Sequence, residues 1–226
     1  MSGSPPWSRP DTVAGFAQSA PNARLLEFAD ARPQACGPGR MLDVGCGAAR
    51  NAVPLAARGW HVVGTDLSKP MLLAAARRAE DERVAERVRL IEARMDALPV
   101  SDRSFNLIVA HGIWNLARSG EEFRAGVREA ARASIAGAGL FIFTFSRHTI
   151  PAKAEPVPGE TFVFTQFSGQ PQCFLTEEQL VEELRRAGFT LMPEWPLREL
   201  NRRAVGALVA GGPPVIYEGG FLYETR

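Results

Sequence analysis

Cysteine is scarce: Cys36, Cys46 and Cys173 are the only three in 226 residues. They are odd in number, far apart and free of any CxxC or Cys/His spacing. This argues against a disulfide framework and a structural zinc, implies no metal site, and favours a reducing compartment. Long hydrophobic runs are missing too, since none approaches the roughly 18 residues of a membrane helix. The first residues, Met1-Ser2-Gly3-Ser4-Pro5-Pro6-Trp7, hold no apolar signal-peptide segment, so the chain reads as cytoplasmic with no membrane partner. Neither sign of charge prevails, with Lys plus Arg at 26 and Asp plus Glu at 25. That balance gives no electrostatic footprint for nucleic acid. What is present, 46% hydrophobic and 23% charged residues, suffices for one α/β domain.

Residues 1–39 are rich in Pro, Ala and Gly and carry one expected helix, over 20–31, before a loop at 36–39. From residue 40 a β-α-β rhythm sets in. Strands are expected over 41–44, 60–65, 88–92, 104–110 and 140–145. Helices are expected over 51–58, stopped by Gly59; over 71–87, behind Ser68 and Pro70; and over 121–136, closed by Gly137. Residues 150–175 interrupt this order with prolines and an optional strand at 161–167, and a connection that long suits a lid or binding loop. Thr176-Glu177-Glu178-Gln179 has the spacing of a capping box and opens a helix to 187. Short β-like runs follow at 189–191 and 214–223, with Gly219-Gly220 as a hairpin turn or a bulge. Alternating strands and helices over 41–190 predict a doubly wound parallel sheet, which binds ligands at the carboxyl ends of its strands. The chain reads as a single domain over 1–226: an N-terminal helical cap (1–39), a cofactor-binding half (40–149), and a substrate-side insertion with closing strands (150–226).

The segment Asp43-Val44-Gly45-Cys46-Gly47-Ala48-Ala49-Arg50 lies between the first strand and the first helix of this rhythm. Its glycines allow backbone to approach a ligand closely. Asp66, 21 positions past Gly45, ends the second strand, where a carboxylate accepts from both ribose hydroxyls of an adenosine cofactor. Two cofactor classes use such a loop. A dinucleotide requires a third glycine where this chain has Arg50. Asp43 would also repel a pyrophosphate, yet it suits the α-ammonium group of S-adenosylmethionine.

Residues 41–68 resemble motifs I and II of class I S-adenosylmethionine-dependent methyltransferases, in the manner of ubiquinone-methyltransferase-like and tellurite-resistance-methyltransferase-like members. Met95-Asp96-Ala97-Leu98-Pro99 and the run Ser104-Phe105-Asn106-Leu107-Ile108-Val109 are similar to their third and fourth motifs. The likeness covers about residues 40–145 and departs at Ala49, where the family's third glycine stands. It implies a doubly wound, mostly parallel, seven-stranded Rossmann-like sheet with an antiparallel C-terminal strand. It further implies that Asp43, Gly45 and Gly47 line the methionine moiety, with Cys46 between the glycines also cofactor-binding, and that Asp66 takes the ribose with Leu67 beside the adenine. Asp96 would accept from the adenine amino group between Met95 and Ala97. Ala110 and His111, just after strand four, would face the transferred methyl. The reaction implied is in-line displacement onto a heteroatom or carbon of a small molecule, by a monomer or homodimer.

Other residues carry two readings each. His111 is either a general base or a packing residue, and no stronger base candidate exists, which favours an already reactive nucleophile. Arg24 either holds a carboxylate or sits solvated at the surface, the safer reading. Phe162, Phe164, Phe167 and Phe174 either roof an apolar pocket or form strand core. Trp7 and Trp114 are optional caps of the site, and His148, Tyr217 and Cys173 read as structural. The competing functions are a nicotinamide-dependent oxidoreductase and a non-catalytic S-adenosylmethionine-binding protein. The amino-methylating DNA signature [DNS]-P-P-[FYW] is missing after strand four, which disfavours a nucleic-acid substrate.

Overall fold

A computed structural model of the chain describes residues 6–32, 39–201 and 213–224. Cys36 lies outside the described residues, with most of the loop expected at 36–39. Two helices precede the first strand where one was expected. α1 (Pro10–Gln18) starts on a proline that needs no donor. α2 (Ala23–Asp30) is shorter than the expected 20–31 because Asn22 caps it, its side chain accepting from the Leu25 N–H. Then follow β1 (Arg40–Val44), α3 (Ala52–Ala57), β2 (His61–Asp66) and α4 (Lys69–Asp81). Ser68 caps α4 as expected, but the helix stops well short of 87. Arg83 takes a left-handed φ of 57°, and Ala85–Arg87 forms a separate 3-10 turn. β3 (Val88–Glu92) and β4 (Phe105–His111) complete the first half.

α5 (Gly120–Ala133) leads directly into β5 (Ser134–Phe145), so residues 134–136 are strand and not helix. The reason is local competition. Ser134 turns its hydroxyl back onto the Ala130 carbonyl, while the Arg132 and Ala133 carbonyls accept from Arg103 and Ser104 at 2.8 Å each. Gly137 therefore occupies a bulge of β5, at φ 76°, and closes no helix. Of the optional strand at 161–167 only β6 (Val163–Phe164) is strand; it pairs, outside the main sheet, with β7 (Gln172–Cys173), a second short strand of the insertion. α6 (Glu177–Arg186) has the full Thr176/Gln179 capping box. β8 (Phe189–Leu191), β9 (Arg198–Leu200) and β10 (Ile216–Tyr223) end the described chain.

The main sheet runs β3-β2-β1-β4-β5-β10-β8, with β9 also on β10. β1 to β5 are parallel and β10 is antiparallel to its neighbours. The expected seven strand positions are present, with the seventh shared by β8 and β9, which pair with opposite ends of β10. One apolar layer, including Phe123, Val127, Leu180 and Leu184, packs α5 and α6 on one face. Another, including Leu25, Phe28, Val53, Leu55 and Ala75, packs α2, α3 and α4 on the other. Among the described residues no helix is long and apolar enough to cross a membrane.

Gly219 and Gly220 form neither a turn nor a bulge; both lie inside β10, in continuous register with Ile142 and Phe141. A Cβ on Gly220 would sit 2.5 Å from the Phe28 ring and 2.8 Å from Trp195, so the glycine marks close approach of α2 to the sheet. Gly220→Ala is expected to cost about 1–3 kcal/mol by overpacking. An unchanged urea midpoint would refute that packing.

Candidate active site

The switch point of the sheet lies between β1 and β4, and the loop leaving β1 builds the cleft there. Gly45 (φ 71°), Gly47 (φ 53°) and Ala49 (φ 59°) all adopt left-handed backbone. Ala49, where the third glycine was missed, tolerates this conformation while its N–H bonds the Cys46 carbonyl at 2.9 Å. The Cys46 N–H reaches the Thr65 carbonyl at 2.9 Å and stitches the loop to β2. Asp66 adds a second stitch: Oδ2 accepts from the Gly47 N–H at 2.9 Å and Oδ1 from the Ser68 N–H at 2.8 Å. Burial raises the Asp66 pKa, opposed by these backbone bonds. Leu67 beside it is 63% exposed, an apolar shelf open to solvent.

Asp43, Gly45, Cys46, Gly47 and His111 line one cleft of about 290 Å³, open solvent at its mouth included, together with Phe16, Arg50 and Asn51. Asp43 is only 2% exposed. Burial pushes its carboxyl up to about 7 and Asp66 adds to this, while the Arg50 guanidinium pulls it down. Among the described residues no hydrogen-bond donor is set against the Asp43 carboxylate. Burial also lowers Arg50, against the attraction of Asp43. The cleft thus presents opposite charges side by side, each incompletely solvated.

Ala110 and His111 end β4 and do not follow it; Ala110 is buried, while His111 reaches the cleft. Arg50 Nη2 lies 3.0 Å from His111 Nδ1, and Asn22 Nδ2 lies 3.3 Å from Nε2. The His111 ring stacks on Phe143 at 4.0 Å. Burial, and then the Arg50 charge, push its pKa down to about 3. A group held there is neutral at physiological pH and is a poor proton acceptor.

Met95, Asp96 and Ala97 form a separate turn that does not line the cleft. Arg94 grips Asp96 with a two-pronged contact at 2.8 and 2.7 Å, which holds that carboxyl below the usual range. Met95 packs against the core. Arg24 is buried and not solvated: Nη2 donates to the Pro196 carbonyl at 2.8 Å. Trp114 is core, edge-on to Phe123. Trp7, 42% exposed, packs on Phe16. Phe162 is core beside Phe123. Phe164, Phe167 and Phe174 instead cluster with Phe145, whose ring lies 5.1 Å from Phe167 and 5.5 Å from Phe174. Tyr217 and Cys173 are buried, and His148 is an exposed partner of Glu199 at 2.6 Å.

Sequence reasoning missed Arg50, Asn22, Glu218 and Phe16. Arg50 was read only as an absent glycine, although its place one step past the loop was a signal. Glu218 was a charge inside an otherwise apolar strand. Asn22 and Phe16 carried no signal, because the N-terminal helices reach the site only through tertiary packing.

This strand order, with a glycine loop after β1 and a carboxylate ending β2, defines the class I methyltransferase fold. A methyltransferase-domain family model matches residues 41–137. A demethylmenaquinone methyltransferase of Clavibacter sepedonicus is 33% identical over 76% of this chain and 74% of its own length. One from Corynebacterium efficiens is 32% identical over 62% of this chain and 55% of its own length. A solved S-adenosylmethionine-dependent methyltransferase from Methanosarcina mazei is 18% identical over 92% of this chain and all of its own, with a TM-score of 0.67, a likeness of fold. The chain belongs to the class I S-adenosylmethionine-dependent methyltransferases, and S-adenosylmethionine is the methyl donor of that family.

Proposed function

We propose that this chain transfers the methyl group of S-adenosylmethionine to a small molecule with a flat, apolar body. The observation that carries this reading is Asp43, a buried carboxylate with no donor of its own, beside the Arg50 guanidinium. An α-amino acid head satisfies both charges at once, its ammonium on Asp43 and its carboxylate on Arg50. A diphosphate would face Asp43 as a like charge. The Asp66 carboxylate retains lone pairs for ribose hydroxyls beyond its two backbone bonds, and Leu67 offers apolar surface to the adenine. Asp96, with its carboxylate held by Arg94, has acceptor capacity left for the adenine amino group.

The bound cofactor supplies a sulfonium methyl that needs no further activation. The chain's own task is alignment and exclusion of water, worth up to about 7–11 kcal/mol in favourable cases. A neutral His111 held near pKa 3 supports a positioning role and an acceptor that arrives already nucleophilic. The curated relatives, which are named for demethylmenaquinone, support a planar acceptor. The near-balance of charge favours a small molecule over nucleic acid. The free, buried Cys46 and Cys173 favour the cytoplasm.

Calorimetry with S-adenosylhomocysteine and with NAD tests the reading. Uptake of the first alone is expected; uptake of NAD alone would overturn it. The pH dependence is a second test. Asp43 must ionise to hold an ammonium group, and its free carboxyl sits at about 7. The association constant should therefore climb roughly tenfold per pH unit below about 7 and level off between there and pH 8. A flat profile from pH 5 to 8 would remove Asp43 from the head-group site.

A further inference from the structure

Two aromatic rings from the N-terminal segment stand at the cofactor cleft. Phe16 of α1 is a wall of the cleft that Asp43, Gly47 and His111 also line. A Cβ on Gly47 would stand 3.8 Å from the Phe16 ring and 4.0 Å from Met71 Sδ, so the ring sits where the glycine loop meets α4. Trp7, in a 3-10 turn ahead of α1 (Pro6–Ser8), crosses Phe16 with centroids 6.1 Å apart and planes at 79°. Such an edge-to-face pair covers at most one face of either ring. Trp7 therefore keeps a face clear of Phe16, and the residue is 42% exposed.

Ser68 fixes where that ring stands. A hydroxyl has one proton and two lone pairs. Ser68 gives its proton to the Trp7 carbonyl at 3.2 Å and accepts from the Met71 N–H at 3.4 Å. The Ser8 hydroxyl, 3.2 Å away, is therefore the donor in its bond to Ser68. The Ser68 N–H in turn holds Asp66 Oδ1 at 2.8 Å. One residue thus ties the Trp7 turn to the start of α4, next to the exposed Leu67 and two positions from the carboxylate that suits the ribose. The segment is otherwise lightly held. α1 buries none of its residues, and its Ala17 carbonyl accepts from Arg78 Nη1 at 3.1 Å.

We infer that Trp7 and Phe16 form a two-ring cover of the cofactor, Trp7 stacked on the adenine beside Leu67 and Phe16 closing the methionine end. The inference rests on the cofactor reading above. It adds the flat surface that reading lacks, since the turn of Met95 to Ala97 stands apart from the cleft. Trp7 is a binding residue in this arrangement and takes no part in the transfer itself. A cover on a segment with few buried contacts can part from the loop to admit its ligand and settle back.

The test uses the full chain and two ligands. One is S-adenosylhomocysteine; the other is 5′-methylthioadenosine, which keeps the adenine and lacks the amino-acid head. Trp7→Ala should weaken both by about 5- to 100-fold, the loss of one base–aromatic stack. Trp7→Phe keeps a smaller ring and should recover part of that loss. Acrylamide quenching of the unaltered chain reads the stack without a variant. Trp60 and Trp114 are 1% exposed, and the difference between wild type and Trp7→Phe separates Trp7 from Trp195. Either ligand at saturation should lower the quenching of Trp7. Unchanged affinities in Trp7→Ala, or unchanged quenching of Trp7 with ligand bound, overturn the inference. Asp43→Asn touches only the head group and should leave methylthioadenosine binding as it was, so a failure of the head-group reading leaves the Trp7 result standing. A wild-type chain that takes up neither ligand overturns the cofactor reading and this inference with it.

Discussion

Asp43→Asn is expected to weaken S-adenosylhomocysteine binding by about 10–100-fold, the loss of one charge-assisted contact, and yet to stabilise the ligand-free protein at pH 8. Both effects come from one buried carboxylate. Its folded pKa of about 7 stands above the ordinary aspartate value of 3.8, so the folded state binds more protons than the unfolded chain between those limits. Stability therefore falls as pH rises from about 4 through 7. At pH 8 the full cost is present, and a neutral amide removes it. The expected gain is about 2–4 kcal/mol, or roughly 5–10 °C in melting temperature for a domain of this size. At pH 4 the two proteins should melt nearly together. Calorimetric titration and thermal scans at the two pH values check both halves. Equal melting temperatures at pH 8 would mean that the carboxylate is not desolvated.

Gly45→Ala should cost about 2–4 kcal/mol, because two penalties coincide there. Its φ of 71° lies in the left-handed region, at about 1–2 kcal/mol for a side chain. A Cβ would also stand 2.7–2.8 Å from three atoms of Ile113, including that residue's own Cβ, which rotation of the side chain cannot move. Gly47→Ala separates the two penalties. Its φ is 53°, but its nearest neighbours would be 3.8 and 4.0 Å away, so only the backbone penalty of about 1–2 kcal/mol applies. Shortening the neighbour as well, in Gly45→Ala with Ile113→Ala, should lessen the steric share. Denaturant midpoints of the four proteins test this ordering, and equal losses at Gly45 and Gly47 would contradict it.

The legible parts of the sequence were those where a local pattern decides the outcome. β3 begins and ends where expected, β1 begins one residue earlier, and β2 is shifted by one residue at both ends. The glycine loop, Asp43 and Asp66 were readable because they lie in or between those strands. The transition at residue 134 was not. Its Ala and Gly residues continue a helical pattern, and the carbonyls that end α5 are taken by Arg103 and Ser104, some thirty residues upstream. β9 has three residues and no alternation to detect. Gly219-Gly220 imitates a turn signal because the need for small residues there comes from Phe28 and Trp195, far away in sequence. His111 was found as a candidate, but the features that make it a weak base, Arg50 and the covering of the cleft wall, are tertiary.

The place of β10 bears on how the molecule is made. This strand follows all the others in the described chain, yet it lies between β5 and the pair β8 and β9. While residues 216–223 remain in the ribosomal tunnel, β5 has a bare flank and β8 and β9 have no partner strand. An emerging chain in that condition offers open backbone edges to its neighbours. Glu218 arrives with the same strand, so the hydrogen bond it accepts from Asn22 Nδ2 is also among the last contacts to form. Closure of the sheet and completion of the cleft therefore both wait on the emergence of this one strand.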